Sequence, residues 1–414
     1  MTDKHVTIIG GGVAGLSAAL DLAHFGVRVD VVERSGFLGG HAIRYTCKAT
    51  DQCVRCGACM VEEKLKAVLA QSTIRFYTNS RCRSHRKNGR FLVELQQDPL
   101  CIDPQKCNNC GICFEKCPEQ AINRGSSAHH HPFYFLDTHT CSRAGNADCN
   151  ICSKSCPQGA IRLDAAPHIE TGTTDAVLLT TGFSPFAPED KPYGFGLFQN
   201  VVTNLELEAI FRQCGSALRP SDQSAAERIA FIQCVGSRDA KLNHLWCSRV
   251  CCASALRMAG RIKFDRPETE ISCFYIDIQT FGKDFETFFT RIKHDIRFVR
   301  SIPGDVFELE DKRLKLIYTD PVTHESCEEQ FDLVVLSIGL CPNMDAVEET
   351  GPLELKPDSD GFFSKGSPKD TGVFVAGTAT GPMSIPESIA SAGSAAKEIL
   401  SYLELLQLQQ SNRP

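Results

Sequence analysis

The chain has no excess of positive charge: 44 Lys and Arg stand against 50 Asp and Glu in 414 residues, a formal charge of −6 at pH 7. No basic face follows from that balance, which argues against nucleic acid as a partner. An apolar run near 18 residues is missing, as is a cationic, apolar, cleavable start, so neither a direct membrane span nor a secretory leader is expected. Any membrane contact would come through other subunits. The compartment expected is reducing and cytoplasmic, and there clustered cysteines bind metal more often than they pair. What the chain does have is 22 cysteines and, at 42% hydrophobic, enough apolar residues to bury the cores of two or three domains.

The segment His5–Leu16 reads as a buried strand, a glycine turn and a helix opening on Val13 and Ala14. Gly10 permits the tight turn, Gly12 lets backbone approach a pyrophosphate, and Gly15 lets helix and strand pack closely while the helix N-terminus faces the anion. A second strand, Val27–Glu33, ends on a carboxylate placed to accept a ribose hydroxyl; Arg34, Gly39, Gly40 and His41 follow it and are counted with the cofactor site. FAD is preferred over NAD because matching elements lie far away. Residues 175–182, ending on Thr181 and Gly182, and residues 331–343 are apolar strands that run into glycine turns, and Gly372–Thr378 precedes a helix of small residues. Together these resemble the thioredoxin-reductase-like FAD fold over nearly the whole chain. The resemblance implies an α/β flavoprotein with two dinucleotide-type domains, its closing segment at Gly377 and Thr378 lying along the flavin. That family usually has Asp after the glycine, so with Thr378 there a hydroxyl or backbone contact is expected in place of a carboxylate.

Into this frame is set a ferredoxin pattern: Cys107, Cys110, Cys113 and Cys117 before Pro118, then Cys141, Cys149, Cys152 and Cys156 before Pro157. In two-cluster ferredoxins the last cysteine of a run serves the neighbouring cluster. One 4Fe-4S cluster is therefore expected on Cys107, Cys110, Cys113 and Cys156, the other on Cys117, Cys149, Cys152 and Cys141, with Asn146 at the spacing where the first cysteine of the second run would stand. Structural zinc is the alternative, but runs ending in Cys-Pro and followed by Ala-Ile are more ferredoxin-like. His129–His131 is expected to be a solvated loop, and Cys82 and Cys101 plain thiols. The expected division is 1–95 FAD-binding, 96–165 inserted ferredoxin, 166–220 FAD-binding, 221–340 second Rossmann-like domain, and 341–414 FAD-binding.

The second domain should carry its own glycine fingerprint after the strand at residues 228–235, but the turn there has Gly236 alone, and cysteines follow. A pyridine nucleotide has no prepared cradle in such a turn. Cys247, Cys251 and Cys252 are expected on the start of a helix. The stretch from Cys234 to Asp239, then Trp246–Cys252, together with Val375–Thr378 and Gly381–Pro382, closely resembles the family of A-type subunits of heterodisulfide reductase. That family includes the sulfur-oxidising heterodisulfide-reductase-like complex and the A-type component of the quinone-interacting oxidoreductase. The resemblance implies a third 4Fe-4S cluster on Cys234, Cys247, Cys251 and Cys252, near a flavin bound with the help of Gly377, Thr378, Pro382 and Ile385. It also implies partner subunits of the B and C type or similar electron-transfer proteins, and a homodimer within a larger complex. Archaeal members are longer and carry a lysine near the flavin where this chain has Arg257, so electron bifurcation is not implied; Arg257 could instead stabilise a reduced, anionic flavin.

Cys47, Cys53, Cys56 and Cys59 remain. A fourth cluster, ordinary thiols and a small metal knot are all open readings for them. The function expected is a FAD and iron–sulfur electron-transfer subunit in which no residue acts as nucleophile or general base. The alternatives are a self-sufficient NAD(P)H-dependent flavoprotein reductase with a ferredoxin outlet, and a zinc-bearing scaffold or metal-storage protein.

Overall fold

The computed structural model describes residues 4–87, 89–145, 148–164, 166–279, 284–349, 353, 355–364 and 371–411. The first unit is built on a parallel sheet whose strands lie in the order Val373–Val375, Ala176–Leu179, His5–Ile9, Arg28–Val32, Ile74–Tyr77. Every residue of His5–Ile9 and Ala176–Leu179 is buried, as a parallel sheet covered on both faces requires. On one face lie helix α1 (Val13–His24), helix α2 (Ala58–Leu69) and the closing helix Ile385–Ser411, sharing a core of Leu16, Leu22, Ala392, Ala396 and Ile399. On the other lies an antiparallel sheet of Ser80–Lys87, Arg90–Gln97 and His168–Thr174. Its middle strand alternates, turning Phe91, Val93 and Leu95 inward onto Ile9, Leu179 and Val375, the pattern of a half-buried strand.

Two adjacent strands of that sheet, Arg90–Gln97 and His168–Thr174, bracket the inserted cysteine-rich segment. Its base closes where Leu100–Ile102 pairs with Ile161–Leu163, and it carries two short helices, α3 (Ile112–Lys116) and α4 (Ile151–Ser155).

The second unit repeats the plan. A parallel sheet in the order Val201–Thr203, Leu333–Ile338, Arg228–Val235, Glu270–Phe274, Arg297–Val299 is faced by a three-stranded antiparallel sheet. Helix α5 (Asn204–Cys214) belongs here, opened by a Thr203–Glu206 capping box and closed by Gly215 at φ 72°, each end satisfied by local chemistry. The passage into this unit therefore precedes residue 221, because Val201–Thr203 and α5 already lie in it. The chain crosses between units on two short antiparallel strands, Phe183–Pro185 and Leu340–Pro342. Among the described residues no helix is long and apolar enough to cross a membrane.

Candidate functional site

The turn after the first strand is shaped by three glycines with three different reasons. Gly10 has φ 111°, and a Cβ there would lie 2.3 Å from the Thr180 carbonyl oxygen. A Cβ on Gly15 would lie 2.0 Å from the Gly10 oxygen and 2.8 Å from Thr180 Oγ1, so only glycine lets α1 sit this close to the sheet. A Cβ on Gly12 would meet nothing within 4 Å. Gly12 caps α1 with no side-chain hydrogen bond, and no acidic residue occupies the first turn. An open helix N-terminus of this kind accepts a phosphate.

Around that opening the other expected residues gather. Glu33 accepts from the Gly11 N–H at 2.7 Å through Oε2 and from the Ser35 N–H and hydroxyl at 2.7 and 2.8 Å through Oε1, which fixes the carboxylate at the strand end. Gly39 bridges to Gly12, and its N–H donates to the Gly11 oxygen at 2.8 Å; a Cβ on Gly40 would lie 3.1 Å from Gly12 Cα. A Cβ on Gly377 would press 2.7 Å from that of Ala14, and the Thr378 hydroxyl stands beside Gly182. His41 stacks on Phe183 with ring centroids 4.7 Å apart; burial and the neighbouring Arg44 lower its pKa, favouring the neutral ring. Thr181 Oγ1 is buried with no hydrogen-bond partner among the described residues. An orphaned hydroxyl, an open helix end and a glycine facing free space suit a dinucleotide. Arg34 is spent elsewhere, on a surface ion pair with Asp345 at 2.7 Å.

In the insertion, Cys107, Cys110, Cys113 and Cys156 line one cavity, and Cys117, Cys141, Cys149 and Cys152 line another. The two halves match bond for bond. Asp103 N–H donates to the Ala160 oxygen and Asp137 N–H to the Ala121 oxygen, both at 2.8 Å; Cys107 N–H donates to Asp103 and Cys141 N–H to Asp137, at 3.0 and 3.2 Å. Cys141 thus stands in one half where Cys107 stands in the other. Asn146 lies outside the described residues. Among the described residues no group of three or more His, Cys, Asp or Glu closes on a single-ion position; the thiols ring cavities instead, an arrangement suited to a multi-iron cube, which is wider than one ion.

Cys234, Cys247, Cys251 and Cys252 meet at the end of the central strand of the second sheet. The strand carries a register shift between Ile232 and Val235, and Cys234 there has φ 61°, which turns its side chain out of the ladder. Helix α6 (Cys251–Asp265) opens only at Cys251. Cys247 therefore precedes the helix and is not on its first turn; Arg249 at φ 62° reverses the loop, and its N–H donates to Cys247 Sγ at 3.3 Å. The loop is held to the crossover strand by Ser248, whose hydroxyl meets Ser237 Oγ at 2.6 Å and accepts from the Leu340 N–H at 2.8 Å. Burial, with Cys252 and Cys247 beside it, pushes the Cys234 thiol up to about 11 against the pull of Arg238; burial and the same neighbours raise Cys251 too. A metal binding here would displace protons from thiols. Gly236 has φ 81°, and a Cβ on it would lie 2.1 Å from the Phe186 ring. Phe186 thus packs closely on the single glycine of this turn.

Arg257 is engaged within the protein. Its Nε donates to the Val54 oxygen at 2.9 Å, and its guanidinium lies 5.3 Å over the Phe285 ring, so it fastens α6 to the loop that carries Cys53 and Cys56. Pro382 accepts from Arg249 at 3.3 Å, and Ile385 packs toward Gly57, 3.3 Å from where a Cβ would stand. The histidine loop is also not merely solvated: His129 and His131 reach the buried Glu62 of α2 at 3.1 and 2.5 Å, docking the insertion on the first unit. Phe133 and Phe135 add ring contacts to Phe37 at 5.5 and 5.0 Å. Sequence reasoning also missed the buried pair Lys48–Glu208 and Tyr45, half-buried near Glu208 and Cys251, whose phenol pKa is raised by desolvation first and then by those neighbours.

Comparison with known proteins agrees with this geometry. The family described as FAD dependent oxidoreductase matches residues 5–93, and the one described as 4Fe-4S binding domain matches residues 102–122. The second A-type iron-sulfur subunit of CoB–CoM heterodisulfide reductase from Methanopyrus kandleri is 35% identical across 96% of this chain and 64% of its own length. The A-type subunit of the H(2):CoB-CoM heterodisulfide,ferredoxin reductase of Methanothermobacter marburgensis is 35% identical across 95% of this chain and 63% of its own. The chain thus spans a little under two thirds of these relatives. Among solved structures, thioredoxin reductase of T. acidophilum is similar in fold with a TM-score of 0.55 at 14% identity, covering 98% of this chain and 100% of that one. Thioredoxin reductase of Lactococcus lactis gives 0.54 at 14%, covering 97% and 99%.

Proposed function

We propose that the chain, 35% identical over 96% of its length to an A-type subunit of heterodisulfide reductase, is an iron–sulfur flavoprotein oxidoreductase of that kind, and that it relays electrons between FAD, the centre at Cys234, Cys247, Cys251 and Cys252, the two centres of the insertion, and partner subunits of the B and C type or similar electron-transfer proteins. What carries the reading is where those four cysteines stand: at the strand end where a nicotinamide cradle would open, with Phe186 against Gly236. When bound, FAD and the clusters supply the conversion between two-electron and one-electron transfer. The residues of the chain do the rest. Gly12 and the α1 N-terminus receive the pyrophosphate, and Glu33 faces the ribose. Thr181 and Thr378 offer hydroxyls along the flavin, and the thiols hold iron. The insertion is docked through Glu62, so that its centres keep a fixed relation to the flavin unit.

Anaerobic stopped-flow mixing tests the proposal. The isolated chain should bleach its flavin with dithionite or a reduced low-potential carrier and only negligibly with NADH or NADPH over minutes. Flavin reduction by either nucleotide in under about a second, within ordinary turnover rates, would overturn the relay and favour a self-sufficient reductase.

A further inference from the structure

We infer that Cys53, Cys56 and Cys59, with Cys47 as fourth ligand, form a further 4Fe-4S site, set where the first unit meets helix α6. In the insertion, Cys107, Cys110 and Cys113 are presented by a distinctive backbone. Asn109 has φ 58° and Gly111 φ 82°. Gly111 caps helix α3 (Ile112–Lys116), Cys113 is the second residue of that helix, and the Phe114 N–H closes back on the Gly111 oxygen at 3.0 Å. The segment Cys53–Cys59 repeats this step for step. Arg55 has φ 53° and Gly57 φ 80°; Gly57 caps α2, Cys59 is its second residue, and the Met60 N–H closes on the Gly57 oxygen at 3.1 Å. The N–H two residues on points at the first sulfur in both loops: Arg55 to Cys53 Sγ at 3.4 Å, and Asn109 to Cys107.

An arginine held in the left-handed region costs on the order of 1 kcal/mol or more, and an ordinary loop of thiols has no reason to bear it. A cluster loop does, since two left-handed residues turn three sulfurs and their N–H donors toward one centre. All four cysteines are free. In the insertion the fourth sulfur comes from Cys156, outside the three-cysteine run; here Cys47 stands outside the run, between Thr46 and Lys48, both of which are held to Glu208. Arg257 and Arg261 of α6 bind the Val54 and Ala49 oxygens at 2.9 and 2.6 Å, tying the loop to the helix that starts at Cys251 and Cys252.

The inference rests on the electron-transfer reading but is tested apart from it, by counting metal. Anaerobically purified full chain should carry about 16 irons, four in each of four cubes, and the Cys56→Ser/Cys59→Ser double variant about 4 fewer, with FAD unchanged. Iron that does not fall in the double variant overturns the site, as does loss of a single zinc in place of iron. Should the variant fail to keep FAD, the unaltered protein decides: a count near 16 supports the site and one that stops near 12 overturns it. Failure of the electron-transfer reading itself would show differently, as iron content that Cys110→Ser and Cys251→Ser leave unchanged.

Discussion

The glycine turn allows binding and folding to be perturbed separately. Gly12 has φ −74° and ψ −176°, ordinary extended backbone, and a Cβ there meets nothing. Gly12→Ala should therefore leave the apoprotein within about 0.5 kcal/mol of wild type. The added methyl group occupies the surface a pyrophosphate must approach, so FAD should bind about 100-fold more weakly, equivalent to about 2.7 kcal/mol. Gly15→Ala inverts the pattern. Its Cβ would stand 2.0 Å from the Gly10 oxygen, where a carbon and a carbonyl oxygen normally keep about 3.3 Å, so α1 must shift by about 1 Å. Overpacking of that kind costs about 1–3 kcal/mol, partly offset by the better helix propensity of alanine, about 1 kcal/mol. Urea unfolding of the two apoproteins and flavin titration by fluorescence quenching measure both effects. Gly12→Ala binding FAD like wild type, or Gly15→Ala leaving the urea midpoint unmoved, would refute the division of roles.

Cys251→Ser or Cys252→Ser should each remove about 4 irons and one component of the reduced EPR spectrum while FAD stays bound, because the flavin cradle is built on another sheet; an unchanged spectrum would refute the assignment. Glu62 gives a pH test. Burial works to raise its carboxyl, but hydrogen bonds from Lys66, Ser127 and His131 outweigh it and hold the pKa down to about 2, from an ordinary 4.5. With the folded value depressed, its contribution is fully present above about pH 4.5 and is lost as pH falls toward 2. Limited proteolysis of the insertion in the apoprotein should accelerate across that window, and Glu62→Gln should be equally susceptible on both sides of it.

Much of this is legible in the sequence because it is locally enforced. Gly10, Gly12 and Gly15 answer steric demands within a single turn, and cysteine spacings fix which thiols can reach one centre. Cys141 is readable as a candidate replacement ligand because an insertion displaces the first cysteine of the second run; its N–H donates back to Asp137 as that of Cys107 does to Asp103, four residues earlier in both. Long-range pairings are not readable. Nothing local tells His129 that Glu62, 67 residues earlier, will meet it, or Arg257 that its partner is the Val54 carbonyl. The four-residue spacing of Cys247 to Cys251 mimics a helical turn, yet Arg249 in the left-handed region breaks the helix between them. The domain boundary falls before residue 221 although the Thr203–Glu206 capping box lies in plain view, because the three-residue strand ahead of it is too short to show a period.

The buried Lys48–Glu208 pair, half on the loop before Cys53 and half on α5, bears on something other than stability. The two units are joined covalently only through short crossing strands, an arrangement that by default lets domains swing against each other. Glu208 also accepts from the Thr46 N–H and hydroxyl at 2.9 and 2.6 Å, and both partners are buried; a buried pair of this kind adds little net stability but specifies one placement of the two units through directed contacts. Tunnelling falls off exponentially with separation, and a protein that swung open by a few ångströms would conduct intermittently. On the proposed electron-transfer reading, a joint held in one placement makes the gap between redox centres a constant of the molecule, and timing would be left to the partner that docks on its outside.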